Sequence, residues 1–476
     1  MNQSKRPLYD ALVSFSNEAP ISFHVPGHKN GTVFSNDAQS LYRSLLAIDV
    51  TELSGLDDLH NPTGIIKEAE DLACNLFKSK HCFFLVGGST VGNLAMIMAT
   101  CHQGDTVLVQ RNSHKSVLNG LRLAKVNPVF IEPSFDHNAQ VATCIDEASL
   151  IETIKKYPNS RALIITRPNY YGYTNQIDRV VQVAHEHNIV VLVDEAHGAH
   201  FGHPSNLLPN SAIHYGADLV VQSAHKTLPA MTMGSFLHFN SGIVDINKVR
   251  HYLQLFQSSS PSYPLLASLD LARYFLAELS ETELKDTLAS IKLFKSHLSN
   301  IPQLKVVENA EYDMDPLKVT VQSSCELSGY QLQKLLEEEA IYTELADQNN
   351  VLFVMPLIIK NDLQGVCQRI KNKLKNLAVV NAKAKVTPKI INKTSSLALT
   401  YEEMEVLEVE TVRLENSIGR IVSEAIIPYP PGIPLLISGE KIENKHIDEL
   451  IELKQAGAYF QGTNIFDEGL KVFKYR

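Results

Sequence analysis

The sequence has no tryptophan, and the three aromatic residue types together make up only 7% of its 476 residues. Lys and Arg (43) are outnumbered by Asp and Glu (52), which gives a formal net charge of −9, and the chain contains no basic block. Nucleic-acid-binding proteins carry basic patches and often stack bases on aromatic side chains. We therefore expect no nucleic-acid partner.

Long apolar runs and paired cysteines are also lacking. No stretch approaches about 18 consecutive apolar residues, and the N-terminal MNQSKRPLYDALVSF has no apolar core of a signal peptide. The six cysteines are scattered without a CxxC pair, which is typical of reduced, buried thiols. These absences predict a cytoplasmic protein that does not enter a membrane.

Residues 80 to 240 alternate short apolar runs with longer amphipathic stretches. The runs are HCFFLVGG, DTVLVQRN, NPVFIEP, RALIITRPN, NIVVLVDEA, ADLVVQS and MGSFLHFN. Several are continuously apolar, as in strands buried on both faces of a parallel sheet. Helical patterns lie between them at 90–102, 114–125 and 177–188. This repeat predicts an α/β domain with a mainly parallel, doubly wound central sheet.

The chain is too long for one core, so we expect several domains. We predict an N-terminal segment (1–40), a large domain (41–300), a small α/β domain (301–380) and a C-terminal domain (381–476). In the small domain, apolar runs at 316–322 and 350–358 flank a helical pattern at 328–340. The lysine-rich stretch 371–393 reads as a linker, 401–416 as a charged amphipathic helix, and the prolines of 426–436 predict an extended path.

Polar residues follow the ends of the predicted strands, at 87–90, His114, Asn169, 194–197 and 223–226. Ligands of such sheets bind at the carboxyl ends of the strands. The concentration of reactive side chains there predicts a functional site.

Two other interpretations of these segments fail. LVDEAH (192–197) is similar to an acidic motif of helicases, but the nearest match to a phosphate loop, GGSTVGNL, has Asn93 where the essential lysine is required. The histidines of HEH (185–187) and HGAH (197–200) lack the spacing and acidic partners of a zinc site. We expect neither a helicase nor a metal centre.

The remaining set suits pyridoxal 5'-phosphate (PLP). Its phosphate needs backbone N–H groups and hydroxyls at a helix N-terminus, which GGST at 87–90 can supply. Its pyridine nitrogen needs a carboxylate, for which Asp194 is placed at a strand end, and its aldehyde needs a lysine, for which Lys226 is available. Each residue alone has a simpler explanation, and a solvated loop lysine is the alternative for Lys226. The order of turn, aspartate and lysine favours the cofactor.

SAHKTLPA (223–230) closely resembles the cofactor-attachment motif of the ornithine/lysine/arginine decarboxylases, which have the fold type I of PLP-dependent transferases. The resemblance continues, in the family's order, through HVPGHKNG, LDDLHNPTG, RNSHKS, VDEAHGAH, SSSPSY, DPLKVT and PYPPGIPLLISGE. Larger members carry an N-terminal receiver-like domain, whereas the motifs here begin at His24, so the chain resembles a short form. It departs at Met233, where a polar residue is common.

The resemblance implies a role for each matching residue. Lys226 is expected to form the Schiff base, Asp194 to pair with the pyridinium nitrogen and His114 to stack on the ring. A structural histidine is the alternative for His114, and a plain helix cap is the alternative for Thr90. Gly88, Ser89 and Ser223 are implied to hold the cofactor phosphate, with Thr90 as a further hydroxyl, and Ala196 is implied as another cofactor-binding position.

Further implied roles concern protons, subunits and substrate. His225 adjoins the lysine and is a candidate for proton transfer. Ser258 or Ser259 resembles residues that reach the phosphate of a neighbouring subunit, so we expect a homodimer with shared sites. Glu344 falls where the family places a carboxylate that reads a cationic substrate side chain, and Asp347 is the fallback.

These expectations combine into decarboxylation of arginine, lysine or ornithine to an amine, a polyamine precursor, with arginine slightly favoured. Loss of CO2 requires the Cα–carboxylate bond to stand perpendicular to the ring, and a sequence does not display that angle. Two alternatives therefore stay open. One is an aminotransferase or C–S lyase on the same fold, and the other is a catalytically inactive regulatory homologue.

Overall fold

The computed structural model of the chain describes residues 1–309, 311–380, 393–429, 434–460 and 464–474. Its helices and strands follow in chain order. The α-helices are α1 (Pro7–Asn17), α2 (Asn36–Leu46), α3 (Ile65–Phe77), α4 (Gly88–Thr100), α5 (Lys115–Leu123), α6 (Glu147–Lys156), α7 (Asp178–Glu186), α8 (Ala224–Thr227), α9 (Ile246–Phe256), α10 (Tyr263–Glu278), α11 (Glu281–Ser299), α12 (Gly329–Glu337), α13 (Leu363–Leu374), α14 (Tyr401–Val406) and α15 (Asn444–Ala456).

The strands are β1 (His81–Leu85), β2 (Thr106–Gln110), β3 (Asn127–Ile131), β4 (Phe135–Asp136), β5 (Val141–Ala142), β6 (Ala162–Thr166), β7 (Tyr173–Thr174), β8 (Val190–Asp194), β9 (Leu219–Gln222), β10 (Ser235–Phe239), β11 (Leu304–Val306), β12 (Asp313–Met314), β13 (Lys318–Ser323), β14 (Leu345–Ala346), β15 (Asn350–Val354), β16 (Thr394–Ser396), β17 (Val409–Val412), β18 (Pro428–Tyr429), β19 (Tyr459–Phe460) and β20 (Leu470–Phe473). Short 3-10 helices lie at Ala199–Gly202 and Leu414–Asn416.

Contacts divide the chain into two compact units, each made of two stretches of sequence. Unit 1 comprises Met1–Thr100 and Val190–Glu281, and unit 2 comprises Cys101–Ile189 and Thr282–Arg476. The four-region division predicted from the sequence stays a prediction.

Unit 1 contains four strands in the order β1, β10, β9, β8. β8 and β9 are parallel, with Asp194 opposite Val221, whereas β10 is antiparallel to both β9 and β1. Three of the four strands therefore run in the same direction. Every residue of β8, β9 and β10 is buried, and most of their residues are apolar for that reason.

Unit 2 contains strands in the order β6, β2, β3, β16, of which the first three are parallel and β16 is antiparallel to β3. A second sheet, β11, β13, β15, β14, is antiparallel and corresponds to the smaller α/β region. Apolar residues of the C-terminal region, including Val422, Leu450 and Val472, form a separate core cluster.

The seven apolar runs singled out in the sequence form β1, β2, β3, β6, β8, β9 and β10, so the predicted fold class is confirmed. The helical patterns at 90–102, 114–125 and 177–188 correspond to α4, α5 and α7. In the small domain the predicted order of strand, helix and strand appears as β13, α12 and β15.

The helix predicted over 401–416 was wrong in its second half. A capping box between Thr400 and Glu403 starts α14, but the helix ends at Val406 and β17 follows. Val409 and Val412 are β-branched and lie in a strand paired with β20, so tertiary pairing overrides the charged helical pattern. The predicted linker 371–393 also begins inside α13, and its residues 381–392 lie outside the described part of the chain.

A buried carboxyl makes the stability of unit 1 depend on pH. Glu70 of α3 is 5% exposed and accepts a hydrogen bond from the Phe84 backbone N–H at 3.1 Å. Burial raises the pKa of Glu70 from 4.5 to about 8. Between these pH values the folded protein holds a proton that the unfolded chain has released, so stability falls as pH rises towards 8.

We expect Glu70→Gln to flatten this dependence, because glutamine imitates the protonated acid and keeps the acceptor for Phe84. The free energy of unfolding at pH 8 should exceed that of the unmodified protein by an amount on the order of 4 kcal/mol. Denaturant unfolding at pH 5, 6.5 and 8 measures the effect. Glu68→Gln on the same helix serves as the control, and equal pH slopes for the Glu70 variant and the unmodified protein would refute the assignment.

Candidate functional site

The loops that follow β8 and β9 are tied to each other by their backbones. The Glu195 N–H donates to the Val221 carbonyl at 2.9 Å, and the Ser223 N–H donates to the Ala196 carbonyl at 3.3 Å. Because the two strands are parallel neighbours, the residues after Asp194 and the residues after Gln222 meet at one edge of the sheet. The predicted site residues of unit 1 lie on these loops and on the start of α4.

Asp194 ends β8 as a buried carboxylate, with 2% of its surface exposed. Its Oδ2 accepts a hydrogen bond from Asn93 Nδ2 at 2.9 Å, and its Oδ1 accepts one from the Ala196 N–H at 3.1 Å. Within the described residues no lysine or arginine forms a salt bridge with it. Two neutral donors thus hold a buried negative charge in a fixed orientation.

Asn93 reaches Asp194 because α4 lies very close to the sheet of unit 1. A Cβ added at Gly92 would stand 2.4 Å from Val221 Cγ2 and 2.9 Å from Leu85 Cδ1, so the side-chain-free residue allows this approach. In the sequence, Asn93 was noted only because it replaces the lysine that a phosphate loop requires. Its role as the donor to Asp194 depends on helix packing and was missed.

Lys226 lies in α8, a single turn that follows β9. Its Nζ is 3.0 Å from Nε2 of His197, a buried residue in the loop after β8. The neighbouring His225 contacts the Gly234 carbonyl with its ring Nδ1 at 3.0 Å and with its backbone N–H at 3.2 Å. The sequence placed His197 among the polar residues after a strand end and excluded it as a zinc ligand, but its contact with Lys226 was missed.

The hydroxyl of Ser223 is buried and has no hydrogen-bond partner among the described residues, and the same holds for Thr227 Oγ1. Buried hydroxyls are normally paired, so these two are oriented towards a group that the chain itself does not supply. Ser223 is the position predicted to hold a phosphate.

The start of α4 carries the other predicted phosphate ligands. Gly88 has a φ of +75°, which favours glycine, and its N–H donates to the Met233 carbonyl at 2.9 Å. Met233 itself has a φ of +74° and is exposed. Ser89 is half-buried and Thr90 is exposed, and the first N–H groups of a helix lack partners within that helix. Ser89 and Thr90 are therefore better placed than Gly88 to offer N–H groups to an anion.

Ser258 and Ser259 lie between α9 and α10 and are exposed. Nε2 of His60 donates to the Ser258 carbonyl at 2.8 Å, and Ser258 Oγ donates to the Ser260 carbonyl at 3.2 Å. These contacts order a loop of unit 1 at its surface, where a second molecule can reach it.

Three predicted site residues belong to unit 2, the first of which is His114. It caps the N-terminus of α5, where its Nδ1 accepts a hydrogen bond from the Ser116 N–H at 3.2 Å. The same Nδ1 lies 2.8 Å from the Ser116 hydroxyl oxygen, so Ser116 orients the ring. The neighbouring Arg111 donates to the carbonyls of Pro434 and Leu435 and to Glu440 Oε2, at 3.1, 3.0 and 2.9 Å, which ties two of the sequence motifs together.

The two candidates for reading a cationic substrate differ sharply. Glu344 is exposed, just before β14. Asp347 accepts hydrogen bonds from the backbone N–H groups of Asn349 and Asn350, from Asn350 Nδ2 and from the Tyr171 hydroxyl. Burial raises the pKa of Asp347, and burial together with Asp347 raises that of Tyr171. Asp347 therefore acts as an internal acceptor that holds a turn.

The described part of the chain contains no group of three or more His, Cys, Asp or Glu side chains that could hold a metal ion. None of the helices in the same residues combines the length and the apolar character needed to span a bilayer.

The unit 1 residues fit PLP by their chemistry. A protonated pyridine nitrogen would give Asp194 the cation that a buried carboxylate requires. The unpaired Ser223 hydroxyl suits an acceptor-rich phosphate, and the Lys226 amine can condense with an aldehyde.

Comparisons with known proteins agree with this chemistry. The model of the Orn/Lys/Arg decarboxylase major domain matches residues 6–311, and that of the C-terminal domain matches residues 380–471. The chain is 44% identical to the uncharacterized protein YaaO of Bacillus subtilis (strain 168), over 96% of both chains. It is 33% identical to the arginine decarboxylase of the same organism, over 97% of this chain and 96% of the relative.

Solved structures share the fold at lower identity. The constitutive lysine decarboxylase of E. coli superposes with a TM-score of 0.82 at 20% identity, over 99% of this chain and 82% of that chain. A structure of SPT with its PLP internal aldimine gives 0.51 at 17% identity, over 65% of this chain and 76% of that one. The chain thus has the fold of PLP-dependent decarboxylases and transferases, and it is a decarboxylase that belongs to the Orn/Lys/Arg decarboxylase family.

Proposed function

We propose that this chain binds PLP covalently at Lys226 and decarboxylates a basic amino acid, with arginine as the favoured substrate. One observation carries the proposal: Lys226, the buried Asp194 and the unpaired hydroxyl of Ser223 lie at the carboxyl ends of two adjacent parallel strands. When bound, PLP supplies an electron sink for the bond that breaks. The chain has to hold it, orient the substrate and move protons.

In this proposal Asp194 keeps the pyridine nitrogen protonated, and Asn93 and the Ala196 N–H hold the carboxylate in place. The phosphate is held by Ser223, Ser89 and Thr90, with Gly88 providing the left-handed turn before α4. His114 covers the ring face, and Ser116 orients its imidazole through Nδ1. Lys226 or His225 returns a proton to the substrate Cα after CO2 leaves.

The choice of a basic substrate, with arginine favoured by the first of them, rests on two observations. A relative with 33% identity over almost the whole chain is an arginine decarboxylase. Glu344 also presents an exposed carboxylate at the position expected to read a cationic side chain, whereas the oxygens of Asp347 already accept several hydrogen bonds within the chain.

Release of labelled CO2 from carboxyl-labelled arginine, lysine and ornithine tests the reaction and the substrate together. We expect arginine to react fastest and Lys226→Ala to reduce release to the level of a protein-free blank, because no other amine replaces the attachment point. Formation of a keto acid without CO2 would instead indicate an aminotransferase, and the absence of any product would indicate an inactive homologue.

Two substitutions distinguish Glu344 from Asp347 as the residue that binds the cationic side chain of the substrate. We expect Glu344→Gln to leave the free energy of unfolding within about 0.5 kcal/mol of the unmodified protein, because the side chain is exposed. The same variant should raise KM roughly ten- to hundredfold, the value of one charged hydrogen bond, with kcat little changed.

We expect Asp347→Ala to behave in the opposite way. It leaves Asn349 and Asn350 without their acceptor and should lower the free energy of unfolding by at least about 2 kcal/mol. Chemical denaturation and steady-state kinetics of both variants provide the measurements. An unchanged KM in Glu344→Gln would exclude that residue as the substrate reader.

We further propose that the protein is a homodimer with shared sites. Exposure alternates along the N-terminal segment: Ile21, Phe23 and Val25 are 86%, 92% and 64% exposed, whereas Ser22 and His24 are partly buried. Apolar side chains that face outward on alternate residues need a covering surface, and a second copy supplies one. The exposed Ser258 and Ser259 support a contribution to the partner's phosphate site.

The double variant Ile21→Asp, Phe23→Asp tests the dimer by light scattering after size-exclusion chromatography. We expect the unmodified protein to be dimeric and the variant to be monomeric, because two carboxylates in an apolar interface are costly to desolvate. Val406→Asp, at a side chain that is 83% exposed, is the control and should remain dimeric. A dimeric double variant would exclude this segment from the interface.

We also propose that the protein is located in the cytoplasm. All six cysteines are unpaired, and five of them are buried, as suits a reducing compartment.

A further inference from the structure

Lys226 has a histidine partner that is distant from it in sequence. The Nζ of Lys226 and the Nε2 of His197 are 3.0 Å apart, a normal hydrogen-bond distance. His197 is 4% exposed, so water has little access to its ring. The contact therefore joins a reactive amine to a proton-accepting group in a sheltered position.

The backbone positions His197 close to Lys226, so their contact does not depend on flexible side chains alone. His197 follows Asp194 by three residues on one loop, and Lys226 follows Ser223 by three residues on the other. The bond from the Ser223 N–H to the Ala196 carbonyl clamps the two loops together directly beside the pair. The amine and the ring are thus brought together by the parallel pairing of β8 and β9.

His225 is adjacent to Lys226 in sequence but is held differently. Its Nδ1 lies 3.0 Å from the Gly234 carbonyl, which can only accept, so Nδ1 carries a proton. The backbone N–H of His225 points at the same carbonyl. These two contacts hold His225 against the Gly234 carbonyl. The Nε2 of His197 instead faces the amine of Lys226.

We propose that His197 is the proton acceptor for Lys226 when the lysine bonds to its aldehyde cofactor, an inference that rests on the proposed role of Lys226. An ammonium group cannot attack an aldehyde, so one N–H bond of Lys226 must break first. The proton moves along the 3.0 Å contact to Nε2 of His197, the electron pair stays on Nζ, and the imidazole takes the positive charge. That electron pair then forms the bond to the aldehyde carbon, and the aldehyde oxygen leaves as water with two of the three ammonium protons. Nothing is oxidised or reduced, and addition of water with the reverse proton transfer restores the ammonium when the lysine is released.

The rate at which PLP attaches to Lys226 tests the proposal without any substrate. It is followed by rapid-mixing absorbance, with the modified lysine identified by mass spectrometry after borohydride reduction. Glutamine can accept a hydrogen bond from Lys226 but cannot take its proton. We therefore expect His197→Gln to slow attachment roughly a hundredfold or more at neutral pH, the usual size of a lost acid–base group.

The matched control is His214→Gln, at an exposed histidine of the same unit, which should attach PLP at the unmodified rate. Circular dichroism and thermal unfolding check that each variant is folded. An unmodified rate in His197→Gln, or a slow rate in His225→Gln alone, would overturn the proposal in favour of another acceptor.

A second measurement needs no cofactor. Nitrogen NMR of the labelled protein reports the hydrogen bond at His197 Nε2, and we expect its resonance to move in Lys226→Met, which removes the donor. An unmoved resonance would show that the contact is absent in solution and would overturn the inference. If the protein takes up no PLP at all, the proposed function fails, while the NMR result still decides whether His197 is bonded to Lys226.

Discussion

The parallel pairing of β8 with β9 is the constraint on which the rest of the site depends. It brings the end of one strand, Asp194, beside the end of the other, and backbone bonds then join the two following loops. Asp194, Ser223 and Lys226 are dispersed along the sequence but meet at one sheet edge for this reason. β8 and β9 are fully buried in the core, which makes their pairing rigid. The side chains at the strand ends are therefore held in fixed positions.

The electrostatics of the site follow from burial. Asp194 is held by an amide side chain and one backbone N–H, neither of which neutralises its charge. A carboxylate in that position is stabilised by any cation that enters, and a protonated pyridine ring has the required charge. Gly92 contributes indirectly, because only a residue without a Cβ lets α4 bring Asn93 to the carboxylate. Glu195, next in sequence, has a different role, since it accepts hydrogen bonds from Gln222 Nε2 and the Ala212 N–H.

The sequence was sufficient for the strands and for the candidates at their ends, because buried parallel strands are recorded as apolar runs. Contacts between residues that are far apart in the chain could not be predicted from the sequence. Asp347 resembled a substrate reader, yet one of its partners, Tyr171, is 176 residues away. His197 was noted after a strand end and rejected as a zinc ligand, but its contact with Lys226, 29 residues away, was missed. The helix predicted over 401–416 ended early because β20, some sixty residues further on, pairs with its second half.

We propose that Lys226 is the covalent attachment point of PLP. The most direct measurement is to incubate the protein with PLP, reduce it with borohydride, digest it and locate the phosphopyridoxyl group by mass spectrometry. We expect one stoichiometric modification, on the peptide that contains Lys226. Modification scattered over other lysines with Lys226 untouched, or no modification, would contradict it.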